Sequence, residues 1–369
     1  MEDDTRVRAV DVAVYEVPTD RQPEADGTLE WSTTTLVVVE PTIGGTTGLG
    51  WTYGPGACAA LVRDLLAGVV VGRDALDVPG AWEAMVRAVR NAGRPGVASM
   101  AIAAVDIALW DTKARLLDLP LCRLLGQARA EVPVYGSGGF TSYDDDTLRR
   151  QLAGWVHDEG IPRVKIKIGE SWGGDVPRDL ARVGVARRAI GPDAELYVDA
   201  NGGYTRGQAV RVGQALGEAG VSWFEEPVSS DDLAALAEIR GQVHPDVAAG
   251  EYGYDLHYFE RMCAAGAVDC LQADVTRCAG VTDWLRAAAV AAAHGLQVSG
   301  HCAPNLHAHP AAAVPNLRHL EYFHDHVRIE RMLFDGALDA KGGSLRPDQG
   351  RPGLGLRLRR PDADRHRVG

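Results

Sequence analysis

From about residue 132 the chain settles into a rhythm of short apolar segments that recur about every 20–30 residues, with helical stretches between them. Eight such segments read as strands: Val132–Tyr135, Arg163–Ile168, Glu195–Val198, Trp223–Phe224, Val247–Ala249, Cys270–Gln272, Gln297–Ser299 and His319–Tyr322. Strands that alternate with helices form a parallel sheet covered by helices. Eight such units closing on themselves make a (β/α)8 barrel. A doubly wound sheet is the competing architecture, but no Gly-x-Gly-x-x-Gly follows the first strand to support it.

The region before this rhythm has a different pattern. Val7 to Val17 alternates apolar and polar residues, and Thr33 to Glu40 is a β-branched run, so both predict strands. Between them, Pro18 to Trp31 is a polar loop, and Gly44 to Gly56 is a second, glycine-rich loop that carries Trp51 and Tyr53. Helical patterns follow from Ala57 to about Leu125. The strongest is Ala98 to Leu117, with Ile102, Val105, Leu109 and Leu116 near helical spacing. Beyond about Asp325 the chain is rich in Gly and Pro and ends in basic residues. That tail is expected to add no barrel unit and to pack back on the N-terminal part. The expected organisation is an α+β capping domain over 1–128, a barrel over 129–325 and a returning C-terminal segment over 326–369.

Composition narrows the function. At 369 residues, 46% hydrophobic and 24% charged, the chain can bury a large core. A net charge of -12 argues against nucleic acid or an anionic membrane as partner, because both need basic patches. The six cysteines include no Cys-x-x-Cys pair, which fits reduced thiols. Met1-Glu2-Asp3-Asp4 is acidic with no apolar signal segment after it, and the longest apolar run, Ala287 to Ala293, is too short to span a bilayer. A cytoplasmic enzyme with a small-molecule substrate is the expectation. Base rates add a homo-oligomer.

The chemistry lies at the strand ends. Strand two carries Lys165 and Lys167, strand three Asp199, strand four Glu225, strand five Glu251, strand six Asp274, strand seven His301 and strand eight Glu321. In a (β/α)8 barrel these positions converge on the C-terminal mouth. Three bare carboxylates there would repel one another, and a hard divalent cation removes the conflict. Oxygen-only ligation by Asp199, Glu225 and Glu251 suits one Mg²⁺ ion per subunit better than zinc. Three separate ion-pairing acids are the bland alternative, weakened by their placement at successive strand ends. Lys165 and Lys167 stand two apart and share the interior face, where lysines need partners. Solvated lysines on an edge strand are the alternative there, and Val164, Ile166 and Ile168 argue against it. Asp274 and His301 can form a carboxylate–imidazole pair. His307 and His309 invite a zinc site with His301, but His-x-His points to different helix faces, so packing histidines are expected.

In these residues the sequence resembles the enolase superfamily, specifically its mandelate racemase subgroup. The Lys-x-Lys at 165 and 167, the acids at 199, 225 and 251, and Asp274, His301 and Glu321 match in order. The helix from Ala101 to Asp111 and the Pro120-to-Gly126 segment are also similar to that family. The resemblance covers nearly the whole chain and implies a modified barrel capped by a domain built from both chain ends. Muconate-lactonising and dipeptide-epimerising relatives place a lysine after strand six. Asp274 followed by His301 points instead to the racemase-like branch. Some sugar-acid dehydratases place a histidine two residues after the strand-three acid, where this chain has Asn201.

The resemblance implies abstraction of a proton α to a carboxylate through a metal-stabilised enolate, with Lys167 and His301 as bases on opposite faces. Lys165 is expected to depress the Lys167 pKa. Glu321 is expected to be protonated during reaction, so that it can donate to an enolate oxygen. The expected activity is dehydration of a sugar acid to a 2-keto-3-deoxy acid. The alternatives are an α-hydroxyacid racemase or epimerase and a catalytically silent metal-binding relative. The choice of a polyhydroxy acid rests on polar and aromatic residues of the loops. These are Arg21, Gln22, Glu24, Asp26, Trp31, Trp51 and Tyr53, joined at the mouth by Tyr135, Ser137, Tyr252, Tyr254 and Asn305. Of these, Trp31, Tyr53 and Ser137, together with Asn201, are the candidate substrate contacts.

Overall fold

The computed structural model describes residues 5–20 and 23–369. Eight parallel strands form the barrel: Val132–Gly138, Arg163–Lys167, Glu195–Asp199, Val221–Glu225, Asp246–Ala249, Cys270–Ala273, Gln297–Gly300 and Leu317–Phe323. Each predicted segment falls on one of them. The sheet closes because the eighth strand pairs in parallel with the first, from Leu320↔Val134 to Phe323↔Ser137. Closure leaves no edge to protect. Strand register then sets the active face. Lys167 lies opposite Asp199, and Asp199 opposite Glu225, so one row of pairing puts three charged groups at the same level.

Below that level the interior is an aromatic plug. Tyr197 lies 5.4 Å from Tyr135 and 5.5 Å from Trp223, measured between ring centroids, and His319 packs against all three. Tyr197, Trp223 and His319 each stand two residues below a strand-end acid, Asp199, Glu225 and Glu321, and residues two apart share a face. Trp223 donates its indole N–H to Glu225 Oε2 at 2.9 Å, so the plug also orients an acid above it.

The N-terminal domain opens with Ala9–Pro18, paired antiparallel with Thr33–Ile43, whose other edge takes Gly50–Tyr53. Helix Val97–Leu116 packs on this sheet and is buried along almost its whole length. Gly50 makes that packing possible: a Cβ there would stand 2.4 Å from the Ala108 nitrogen. Two buried acids on the helix join the domains. Asp106 accepts from the Thr282 amide and hydroxyl of the barrel side, and Asp111 accepts from the Leu49 and Leu354 amides. The loop expected between the first two strands folds into a small hairpin, Glu24–Ala25 with Glu30–Trp31. Backbone bonds from Thr141 to Ala25 and from Trp172 to Gly27 dock it on the barrel.

The C-terminal part departs from expectation in one respect. His324–Leu333 is a helix that completes the eighth barrel unit and runs through the expected boundary at 325/326. Its Gly- and Pro-free, amphipathic sequence was masked by the Gly- and Pro-rich stretch after it. Beyond that helix the chain does return: Ser344–Leu345 pairs with the start of the first barrel strand, and Val368 and Gly369 bond to Val14 of the first N-terminal strand. Among the described residues no helix is long and apolar enough to cross a membrane. All six cysteines are unpaired and buried.

Candidate active site

The eight strand-end residues meet in one network. Lys165 is fully buried and reaches Glu225 Oε1 at 2.5 Å, Glu321 Oε1 at 2.7 Å and Asp199 Oδ2 at 3.7 Å. Lys167 reaches Asp199 Oδ2 at 2.5 Å. His301 Nδ1 lies 2.8 Å from Asp274 Oδ2, and its Nε2 lies 3.2 Å from Glu251 Oε2. Asp274 is itself fixed, because its Oδ1 accepts from the Thr276 amide and hydroxyl, both at 2.7 Å. A carboxylate so held fixes the orientation of the ring.

Asp199, Glu225 and Glu251 each offer an oxygen within 4.8 Å of the others. Burial pushes Glu225 up to about 8, the Lys165 ammonium opposing and the neighbouring acids adding to the rise. Glu251 Oε2 is buried without a well-aligned hydrogen-bond donor. An oxygen-only donor set with an orphaned oxygen, crowded enough to perturb its own ionisation, fits Mg²⁺. A fourth carboxylate, Glu226, lies beside the three. It is buried, has a left-handed backbone (φ 38°), and burial raises its pKa well above the usual range, with Glu251 and Asp199 adding to the shift. His301, Cys302 and Glu321 also cluster, but burial keeps the Cys302 thiol protonated, with the Glu321 charge next in size.

Two pKa directions in the resting site run opposite to those the chemistry asks for. Lys167 is not depressed. Burial and Lys165 do push its pKa down, but Asp199, with Glu321 and Glu251, outweighs them and the net shift is upward. The resting site also favours the carboxylate form of Glu321, whereas the expected protonation concerns the reacting state. Burial favours its neutral form, yet Lys165, His301 and Lys167 reverse that and hold it well below the usual range. Three donors from Ser137 Oγ, Lys165 and the Cys302 amide, at 2.6, 2.7 and 3.0 Å, fill its oxygens.

The network opens on a cavity of about 340 Å³ between barrel and cap. Lys167, Asn201, Glu251, Asp274 and His301 line its floor, and Asp26, Trp31 and Tyr53 line its roof. Of the proposed substrate contacts, Ser137 lies below the floor, its hydroxyl committed to Glu321. Asn201 lines the floor with a left-handed backbone (φ 45°), and its side-chain oxygen has no partner. Tyr252 lines this cavity, and Tyr254 an adjoining one. Tyr135, Trp51 and Asn305 are packing residues: Tyr135 sits in the barrel plug, Trp51 stacks on Phe334, and Asn305 binds Glu330. Glu24 is buried behind the roof. Arg21 and Gln22 lie outside the described residues. His307 and His309 are packing histidines. His307 accepts from the Val275 amide, and His309 from the Cys122 amide.

Sequence reasoning missed Arg277, Cys302, Thr34, Asp325 and His326, which all line the cavity. Arg277 binds Glu251 at 3.0 Å and lies 3.5 Å from Asp274. Its spacing of three after Asp274 was a usable signal. Asp325 and His326 lie in the first turn of the helix that follows strand eight, so the strand-end rule does not reach them.

Comparison with known proteins agrees with the architecture. Residues 9–126 match the mandelate racemase / muconate lactonizing enzyme N-terminal domain, and residues 147–363 match the enolase C-terminal domain-like family. The chain is 34% identical over 322 residues to a 3,6-anhydro-alpha-L-galactonate cycloisomerase from Streptomyces coelicolor, covering 85% of this chain and 86% of that protein. A mandelate racemase/muconate lactonizing enzyme-like protein from Rubrobacter xylanophilus superposes with a TM-score of 0.95 at 53% identity, over 98% of this chain and 100% of the other. The L-talarate/galactarate dehydratase from Salmonella typhimurium LT2, liganded with Mg and L-lyxarohydroxamate, superposes with a TM-score of 0.90 at 28% identity, over 99% and 93%. By fold, by site pattern and by sequence, the chain belongs to the mandelate racemase / muconate lactonizing enzyme family of the enolase superfamily.

Proposed function

We propose that this protein is a Mg²⁺-dependent lyase that dehydrates a sugar acid to a 2-keto-3-deoxy acid. The observation that carries the reading is the pair of proton-transfer groups on one cavity floor. Lys167 comes from strand two, and the Asp274-held His301 from strand seven, with three carboxylates between them. Asp199, Glu225 and Glu251 would hold the ion. When bound, Mg²⁺ supplies the positive charge that relieves Lys167 of neutralising Asp199 and offsets the charge that builds on the substrate carboxylate. One of Lys167 and His301 takes the α-proton. The other, in its protonated form, gives a proton to the departing β-hydroxyl, which leaves as water. The resulting enol tautomerises to the 2-keto acid. Asp274 keeps the His301 ring oriented, and Glu321, filled by donors, holds Lys165 and the Cys302 amide in place.

A second reading has support from the cycloisomerase relative. The same two groups can expel a ring oxygen from the β-carbon, opening the ring with no loss of water. Racemisation of an α-hydroxyacid needs only that the second group return its proton to the α-carbon. One experiment separates these. A panel of acid sugars, their anhydro and lactone forms and aryl hydroxyacids is incubated with Mg²⁺ in D₂O, with α-proton exchange followed by NMR and keto products trapped with semicarbazide. Open-chain acid sugars are expected to give keto product, to stop on chelation and to resume when Mg²⁺ is restored. Exchange of an aryl hydroxyacid with no keto product from any sugar acid would establish the racemase reading instead.

A further inference from the structure

The two ends of the cavity differ in charge. Among the described lining residues, positive charge is confined to the floor: Lys167, Arg277 and the His301 ring. Each is already matched there, Lys167 by Asp199, Arg277 by Glu251 and His301 by Asp274. The roof carries Asp325, and its two nearest hydrogen-bond donors are spent on it. The Trp31 indole N–H and the Thr34 hydroxyl both donate to Asp325 Oδ2 at 3.2 Å. Thr34 is therefore left with oxygen lone pairs toward the cavity, and Trp31 with its ring. The roof histidine, His326, accepts from the Ala303 amide through Nδ1, and burial lowers its pKa to about 3, so the ring is neutral. Behind Asp325, Glu24 Oε2 and Asp325 Oδ1 are both buried without a well-formed hydrogen bond, and the Arg328 guanidinium stands 3.5 Å from that Oδ1 on the side away from the cavity lining. A proton on Glu24 gives it a donor to share with Asp325 and with Asp20, both of which it faces. Burial, with Asp325 next in size, lifts Glu24 to about 10, and the shared proton leaves the pair a single negative charge.

Among the residues that line the cavity, such a roof offers acceptors to a hydroxyl and no cation to a carboxylate, Arg328 being outside the lining and already paired with Asp325. Building on the function proposed above, we infer that this site takes a monocarboxylic polyhydroxy acid, with a hydroxyl at its far end, and rejects the diacid of the same carbon chain. The Mg²⁺ floor takes the one carboxylate, and the Asp325–Thr34 roof accepts hydrogen bonds from the distal hydroxyls. A second carboxylate would face Asp325 across the cavity. Like-charge juxtaposition of that kind costs about 10²-fold or more in selectivity. This separates the chain from its talarate/galactarate-dehydrating relative, named for two diacids.

The test compares matched pairs, among them galactonate with galactarate and gluconate with glucarate, on the Mg²⁺-loaded protein. The wild type is expected to favour the monoacid by at least about 10²-fold in kcat/KM. The Asp325→Asn variant should move that ratio at least about 10-fold toward the diacid. Diacids used as well as or better than monoacids would overturn the inference and leave the dehydratase reading intact. If no acid sugar turns over, the dehydratase reading falls, and calorimetric binding of the same pairs still decides: monoacid preference supports the roof assignment, equal or tighter diacid binding overturns it. The wild-type comparison decides even if the variant does not fold.

Discussion

Floor and roof of the cavity are built by different rules. The floor comes from barrel strands, where pairing register fixes the level of each residue and the two-residue repeat fixes its direction. Lys167, Asp199 and Glu225 stand in one row because their strands pair there. The roof comes from a hairpin at 24–31, from the strand residues Thr33 to Thr35 and from the first turn of the last barrel helix. Nothing periodic relates those pieces. On the function proposed above, the floor carries the chemistry and the roof tells substrates apart. A barrel that varies its loops over a constant floor can change substrate without rebuilding its proton-transfer groups.

If that division is right, the largest losses of activity follow from floor substitutions. Lys167→Ala and His301→Asn should each reduce α-proton exchange by about 10³-fold, within the usual range for a positioned acid or base. The readout is NMR exchange in D₂O, with circular dichroism to establish that the fold persists. A loss of under about 10-fold for both would mean that the chemistry is not on the floor. Asp274→Asn comes next. It keeps the shape but removes the charge that orients and supports the His301 ring 2.8 Å away. A loss of about 10²-fold in kcat is expected, with KM little changed, because the interaction matters most when the ring carries a proton.

The roof should respond differently. Trp31→Phe keeps the ring that packs edge-on against Phe140 at 5.3 Å but deletes the bond to Asp325. One hydrogen bond of about 1 kcal/mol corresponds to a roughly 5-fold rise in KM. kcat should be almost unchanged, the signature of uniform binding. A fall in kcat with constant KM would place Trp31 in the chemistry and blur the division.

The same division explains which parts of the site are legible in the sequence. Period-two placement made Lys165 and Lys167 neighbours on the interior face, and barrel topology brought the acids of strands three, four and five together without any knowledge of their distances. Their ionisation was not legible. Whether Glu321 is protonated depends on Lys165 at 2.7 Å and on the Ser137 hydroxyl, and those contacts are set by side-chain conformations that strand spacing does not specify. Asp325 was hidden for another reason. It occupies the junction of the last strand and a helix whose composition blends into the tail, so the residue that most shapes the roof marked a boundary instead of a site. Arg277 and Cys302 sit in turns, and Cys302 is in a left-handed conformation (φ 52°), which residue type alone gives no reason to expect.

The smallest predicted effect tests the roof without reference to catalysis. Glu24 has an ordinary pKa of 4.5 and a folded value near 10, raised first by burial and then by Asp325. Below pH 4.5 the residue is protonated in both folded and unfolded chains, and its contribution to stability is fully present. Between 4.5 and 10 the folded state binds a proton that the unfolded state has released, so this contribution declines steadily as pH rises and is lost through the folded pKa. Glu24→Gln removes the titration while keeping a donor for Asp325 at every pH. Thermal melts at pH 5, 7 and 9 should therefore show a wild-type Tm that falls with pH more than the variant's, with the gap at pH 9 on the order of 2 °C or more. The two curves should converge toward pH 5. Parallel curves would mean that Glu24 is ionised in the folded protein. The roof would then hold two negative charges, rejecting a diacid still more strongly while straining the hairpin that carries Trp31.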